Sequence, residues 1–344
     1  MKTKAKFKEK ALLLCFVLIL VFTLSLTACG NDDEEVTEDG LVQFKLAAIG
    51  TDDTTVEPVL IGIEKGFFEE EGLEIVDVGD VAINQFVSSI QSGQIDAALL
   101  MTSDGVAAID NGADLIEVAV SYDATEEKPH MTFVVAKDSP IKTGSDLVGK
   151  KFGVVGLGGC LIGPPLEFMA QDGVEDPYSK IEFVTSPENT LVQSVSDGDL
   201  DAAALHLHPA QVEALYGDQV RVLFTDYTVF GDRGGDIAWF VSRKFAEENP
   251  ETVTKFVSAI GKVNNYINED PEAAAAFYKE NARGDINETL FHVPYFAPDA
   301  IIQESHTTVW LDVFKSGNSY QEFQHPDWEF EDVATNKYNL KYTG

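Results

Sequence analysis

FVSSIQSGQIDAALL, residues 86–100, returns at residues 191–205 as LVQSVSDGDLDAAAL. Val87/Val192, Ser89/Ser194, Gly93/Gly198, Asp96/Asp201, Ala97/Ala202, Ala98/Ala203 and Leu100/Leu205 are identical. Each copy reads as a helix, a tight glycine turn and a buried strand. The continuations differ: Met101-Thr102-Ser103-Asp104 follows the first copy, and His206-Leu207-His208-Pro209 the second. A unit used twice about a hundred residues apart predicts two similar lobes with a cleft between them.

Around these copies, short apolar strands alternate with amphipathic helices. Strands are expected at Val42–Ala48, Leu73–Val78, Ile95–Leu100 and Leu115–Tyr122, with helices at Glu57–Lys65, Val81–Gln91 and Asp104–Asn111. The scheme repeats from Lys151 to Thr225, and Gly234-Gly235 then precedes a strand over Asp236–Ser242. The alternation predicts an α/β fold of two doubly wound lobes with largely parallel sheets. The C-terminal third is helical. Asn249-Pro250-Glu251 places a cap, a first-turn proline and an acid in order. Val253, Phe256, Val257, Ile260, Val263 and Ile267 share one helical face, expected to pack on the first lobe.

At 344 residues the chain is long enough for two domains with real cores. Its formal charge of −34 excludes nucleic acid as a natural partner, since phosphate binding needs clustered Lys and Arg. Lys2, Lys4, Lys6, Lys8 and Lys10 precede an apolar run over residues 11–26 that ends in Leu26-Thr27-Ala28-Cys29-Gly30. This resembles the lipobox of bacterial lipoproteins, with residues 1–28 as signal peptide and Cys29 as the lipidated residue. Its removal takes away five lysines and one glutamate and leaves a charge of −38. Residues 29–40 are acidic and polar, and are expected to form a disordered tether. Cys15 leaves with the signal and Cys29 carries lipid, so Cys160 has no disulfide partner.

Four loops fall beyond the carboxyl ends of strands, where open α/β sheets bind ligands. They supply Thr51, Asp52 and Asp53; Thr102, Ser103 and Asp104; Gly158, Gly159 and Cys160; and His206 and His208, with Asp236 at the start of the returning strand. Gly156-Leu157-Gly158-Gly159 lacks the third glycine of a dinucleotide fingerprint, so no cofactor is expected. Its backbone N–H groups suit an anion or a carbonyl. His206 and His208, two apart at a strand end, are expected to face opposite ways. His130, His292, His306 and His325 show no spacing that would add metal ligands to them, and no metal site is expected. The loops carry Asp52, Asp53 and Asp104 but neither Lys nor Arg, which favours a neutral or cationic solute over a sulfonate or nitrate. Cys160 with a histidine base would be a nucleophile pair, but no third orienting group is evident, and no catalytic residue is expected.

Several segments resemble a known family. Pro58–Phe68 (PVLIGIEKGFF) with Glu71–Ile75 (EGLEI), Ser92–Ala98 (SGQIDAA) and Asp146–Val154 (DLVGKKFGV) are similar to segments of ABC-importer substrate-binding proteins. The subgroup handles alkanesulfonates, taurine, nitrate and thiamine-precursor pyrimidines, and the resemblance spans about residues 43–280. It implies a periplasmic-binding-protein fold of type II, with crossings near residues 131–138 and 234–242. The lobes would comprise residues 41–132 plus 240–344, and residues 136–236. It further implies a monomer, not an enzyme, that captures a small molecule and delivers it to an ABC permease from a lipid anchor on the outer face of the cell membrane. A thiamine-precursor synthase of similar fold and a surface sensor are the other readings.

Overall fold

The computed structural model describes residues 35–317 and 321–344. The expected signal peptide and Cys29 lie outside the described residues. Contacts divide the chain into Met1–Val36 and Thr37–Gly344, and every element named here belongs to the second. No helix among the described residues is long and apolar enough to cross a membrane. Near the end of the expected tether a turn leads into the first strand: Thr37 N–H donates to Leu41 O at 2.9 Å, and Gly40 takes a positive φ of 83°.

The first lobe holds β1 (Val42–Leu46), β2 (Leu73–Asp77), β3 (Ala97–Met101) and β4 (Ile116–Asp123). The second holds β5 (Thr132–Ala136), β6 (Lys151–Val154), β7 (Glu182–Thr185), β8 (Ala202–Leu205) and β9 (Val220–Thr225). The chain then returns through β10 (Ile237–Val241), with a short β11 (Tyr295–Phe296) later. The sheet orders are β1-β2, β11-β4-β10-β3 and β7-β6-β8-β5-β9.

The sheets are less parallel than the β-α-β alternation predicts. β1 pairs with β2, and β6 with β7 and β8, in parallel. However, β5 is antiparallel to both β8 and β9, and β10 is antiparallel to both β3 and β4. The reason is topological: each of these strands enters its sheet from the other lobe, and so runs against its neighbours.

The repeated passage builds the same device twice. Its helices are α2 (Phe86–Gln91), which follows α1 (Pro58–Glu64), and α5 (Glu188–Asp197), which follows α3 (Thr102–Asp110) and α4 (Gly159–Gln171). Gly93 and Gly198 turn the chain with φ of 72° and 79°. Asp96 then bonds Lys45 through both backbone and side chain: its N–H donates to Lys45 O at 2.9 Å, and its Oδ2 accepts Lys45 N–H at 2.7 Å. Asp201 does the same to Lys151, at 2.9 Å in each direction. The carboxylate thereby ties the start of one strand to the neighbouring strand, and a lysine ammonium sits beside each, Lys45 at 3.5 Å and Lys150 at 3.2 Å.

The helices follow their local signals. Glu57 caps α1, accepting from Val59 N–H at 2.9 Å and Leu60 N–H at 3.2 Å, with Pro58 at the first position. α6 (Pro209–Tyr216) and α7 (Asp226–Phe230) complete the second lobe. In α8 (Pro250–Glu269) the whole predicted apolar face is buried, with Phe256 stacked on Phe44 at 4.4 Å. This helix packs on the first lobe as expected. α9 (Glu304–Lys315) differs, because it packs against α3 and also reaches the second lobe. Its Trp310 is fully buried, 5.3 Å from the Phe230 ring, and fills a notch at Gly163 where an added Cβ would lie 2.7 Å from the indole.

Gly105 in α3 lies against the fully buried Phe240 of β10, and a Cβ there would meet the ring at 2.1 Å. Gly105→Ala is therefore expected to destabilise the protein by about 1–3 kcal/mol through overpacking. Urea unfolding of the variant against wild type would measure this, and an unchanged midpoint would refute it.

Candidate functional site

A cavity of about 750 Å³ is walled by both lobes. The first lobe contributes the β1 end, the Thr51–Thr55 loop, Leu99, Met101, Asp104, Tyr122 and Trp239. The second contributes Cys160, Glu188, His206 and His208, His130 comes from the first crossing, and Lys128 and His292 close the sides. The strand-end loops thus meet as the topology requires.

Of the residues expected to form the site, Thr51, Asp52, Asp104, Cys160, His206 and His208 line this cavity. The others do not. Asp53 is exposed, and its backbone O accepts Asn287 N–H at 2.9 Å. Thr102 and Ser103 are wholly buried in the first turn of α3. Even Asp52 is largely committed to its own loop: Oδ1 accepts the N–H groups of Thr54 and Thr55 at 2.8 Å each, and Oδ2 accepts Thr55 Oγ1–H at 2.6 Å.

The Gly156–Cys160 loop takes a carboxylate from the protein itself. Gly159 N–H, at the start of α4, donates to Asp104 Oδ1 at 3.0 Å. The positive end of a second-lobe helix is thereby occupied by a first-lobe acid. The approach needs glycine, because a Cβ on Gly159 would lie 2.2 Å from Ser103 Oγ. Burial raises the Asp104 carboxyl, opposed by the Gly159 N–H. Burial also pushes the Cys160 thiol well up, with Asp104 and Asp226 adding to it, which disfavours the thiolate in the free protein.

The histidines overturn two expectations drawn from spacing. His206 and His208 both line the cavity, because β8 ends at Leu205 and the chain bends, so strand alternation no longer applies. His130 and His292, which showed no ligand spacing, converge with them through tertiary structure. The His130 and His206 rings are 5.5 Å apart, and those of His208 and His292 are 4.4 Å apart. One ligand atom each from His130, Cys160 and His206 lie within 4.8 Å of one another. Burial holds His130 uncharged, with its pKa down to about 3, and His208 likewise at about 4. His206 is oriented by Glu188, whose Oε1 accepts His206 N–H at 2.8 Å and lies 3.5 Å from Nδ1.

Asp236 sits outside the cavity wall, fully buried at the start of β10. His306 Nδ1 lies 2.9 Å from Asp236 Oδ2 and 3.6 Å from Asp123 Oδ1. Burial, reinforced by Asp123, Asp226 and Asp232, raises the Asp236 carboxyl well above its usual range. The spacing of His306 along the chain gave no sign of this pairing, since it comes from α9 in the C-terminal third and meets Asp123 and Asp236 only through tertiary structure. Its only local signal was a histidine on an otherwise apolar helical face.

A model of the NMT1/THI5-like family matches residues 53–274, well over half of the chain. The chain belongs to the NMT1/THI5-like family. It is similar, at 22% identity over 63% of its length, to a 4-amino-5-hydroxymethyl-2-methylpyrimidine phosphate synthase of Legionella pneumophila, of which it spans just under two thirds, 66%. In fold it resembles the alkanesulfonate-binding protein of Xanthomonas axonopodis pv. citri, with a TM-score of 0.60 at 16% identity, over 85% of this chain and 98% of that one. It also resembles the periplasmic nitrate-binding protein of Synechocystis PCC 6803, with a TM-score of 0.62 at 14% identity over 88% of each chain. The fold is therefore that of the periplasmic binding proteins.

Asp226 couples this site to the first crossing strand, accepting His130 N–H and Met131 N–H at 3.2 Å each and Tyr227 N–H at 3.0 Å. Burial outweighs these donors and raises its pKa from 3.8 to about 6. The folded state therefore binds the proton more tightly than the unfolded one. The resulting stability is present below about pH 4 and is lost as pH rises through about 6, a loss of about 3 kcal/mol. Asp226→Asn lacks this titration, so its stability relative to wild type should improve by about that amount between pH 4 and pH 7.5. Urea unfolding at both pH values tests this, and a constant difference would contradict it.

Proposed function

We propose that the chain is an extracytoplasmic solute-binding lipoprotein that captures a small neutral or cationic molecule between its lobes and hands it to an ABC permease. The cavity walled by both lobes carries this reading. Its volume is that of a small-molecule site. Phe86, Tyr122 and Trp239 offer aromatic surface, while Asp52, Glu57, Asp104, Asp123 and Glu188 line it against a single ammonium, Lys128. A sulfonate or nitrate calls for guanidinium or ammonium donors, and no arginine is among the lining residues. A pyrimidine or an amine suits these walls, and the curated relative is named for a pyrimidine product. In this reading residues 41–132 plus 240–344 close on residues 136–236 about the two crossings, and the protein acts as a monomer.

A pyrimidine phosphate synthase is the second reading, motivated by the relative's name and by the Cys160 and histidine cluster. The raised thiol pKa weighs against nucleophilic chemistry there. Turnover of a pyrimidine or pyridoxal-type compound by purified protein would establish it in place of transport.

A thermal-shift screen of the mature protein across pyrimidines, amines, amino acids, alkanesulfonates and nitrate tests the ligand class. A true ligand at a hundred times its Kd should add about 2.7 kcal/mol of stability. The expected hit is a pyrimidine or an amine. A tight alkanesulfonate or nitrate, with no pyrimidine or amine binding, would overturn the assignment. Anchoring is tested separately: Cys29→Ser in a bacterial host should abolish lipid labelling and move the protein from the membrane to the soluble fraction. Unchanged labelling would exclude Cys29 as the anchor.

A further inference from the structure

We propose that His130, Cys160 and His206 form a binding site for a borderline-soft divalent metal ion of the zinc type, with an open coordination position facing the cavity. Three features carry the proposal. The ligand atoms of these residues gather within 4.8 Å of one another although they come from the segment before β5, the first turn of α4 and the bend after β8. His130 Nε2 is shut off from solvent and has no hydrogen-bond partner, an arrangement that costs free energy unless something accepts its lone pair or its proton. Glu188 sits at Nδ1 of His206, which leaves Nε2 for a metal and reproduces the carboxylate–histidine pairing that orients metal ligands.

The donor set selects the ion. Two imidazoles and a thiolate suit zinc, whereas calcium and magnesium take oxygen ligands. A tetrahedral ion with Zn–S of about 2.3 Å and Zn–N of about 2.0–2.1 Å has ligand–ligand edges near 3.5 Å. The three side chains therefore need to draw in by no more than about 1 Å. Binding would release the thiol proton of Cys160 to solvent and leave a metal-bound thiolate. Glu188, at His206, and Asp104, whose charge acts on Cys160, place negative charge beside the ion. Cys160 and His206 belong to the second lobe and His130 sits on the first crossing, two residues before β5 enters that lobe's sheet, so the ion can load before the lobes close, and its open position then faces the solute. The inference concerns the same cavity as the proposed function but does not depend on which solute is bound.

The test is titration of the metal-free, mature protein with Zn²⁺ in competition with a chromophoric chelator, followed by Co²⁺ substitution. The expected result is one equivalent of zinc bound at micromolar affinity or better. The Co²⁺ form should show tetrahedral d–d bands together with a thiolate-to-metal charge-transfer band. Cys160→Ser should abolish that band, His206→Ala and His130→Ala should each weaken zinc at least tenfold, and Glu188→Gln should weaken it about tenfold. Thermal melts identify any variant that has lost its fold, and the near-isosteric Cys160→Ser keeps the test decisive if the histidine variants fail. No zinc bound, or zinc bound equally by wild type and Cys160→Ser with no charge-transfer band, would overturn the proposal. The solute screen is run on metal-free and zinc-loaded protein, so a failure of the ligand class and a failure of the metal site give different results.

Discussion

One aspartate, used twice, organises both lobes. Asp96 and Asp201 each exchange backbone and side-chain hydrogen bonds with a residue of the neighbouring strand, at the point where a glycine turn delivers the chain into a buried strand. The clasp sits at the amino end of β3 and β8, and by fixing where each strand begins it also fixes where it ends. Those ends supply Met101 and Asp104 to one wall of the cavity and His206 and His208 to the other. Similar scaffolds therefore present dissimilar chemistry across a single gap. A buried carboxylate is tolerable in this role because it accepts a backbone N–H and lies beside an ammonium.

The interior electrostatics follow from how the crossing strands enter. β5 and β10 insert antiparallel; the chain entering β5 meets the buried Asp226 at the head of α7, and the buried Asp236 immediately precedes β10. Burial raises both carboxyls, and His306 from α9 sits between Asp236 and Asp123. On the cavity side, Asp104 takes the positive end of α4. Acids thus serve as internal fasteners between lobes, in a chain whose formal charge is −34.

Much of the fold was legible because it rests on local signals. The duplicated passage marked two lobes, the Asn249-Pro250-Glu251 signal marked a helix start, and the apolar stripe from Val253 to Ile267 marked a buried face. Strand direction was not legible, since apolar content does not reveal whether a strand comes from its own lobe or crosses from the other. The site was half legible. Asp104, Cys160, His206 and His208 lie at strand or helix ends, where topology points to a cleft. His130, His292 and His306 reach their partners from a loop and from the C-terminal region, across sequence separations of tens to almost two hundred residues, and no spacing rule encodes that. Thr102 and Ser103 misled for the converse reason: the helix begins on them, and its first turn carries them into the core.

The seat of Trp310 in the Gly163 notch bears on the lobes as modules. A helix from the C-terminal region completes the packing of a helix in the second lobe, so the boundary of that lobe's core does not coincide with its two crossings. Excised at those crossings, the second lobe would present an indole-shaped hollow of bare apolar surface to water. A chimera that exchanged this lobe with a relative's would have to carry α4 and α9 together, as one inherited pair.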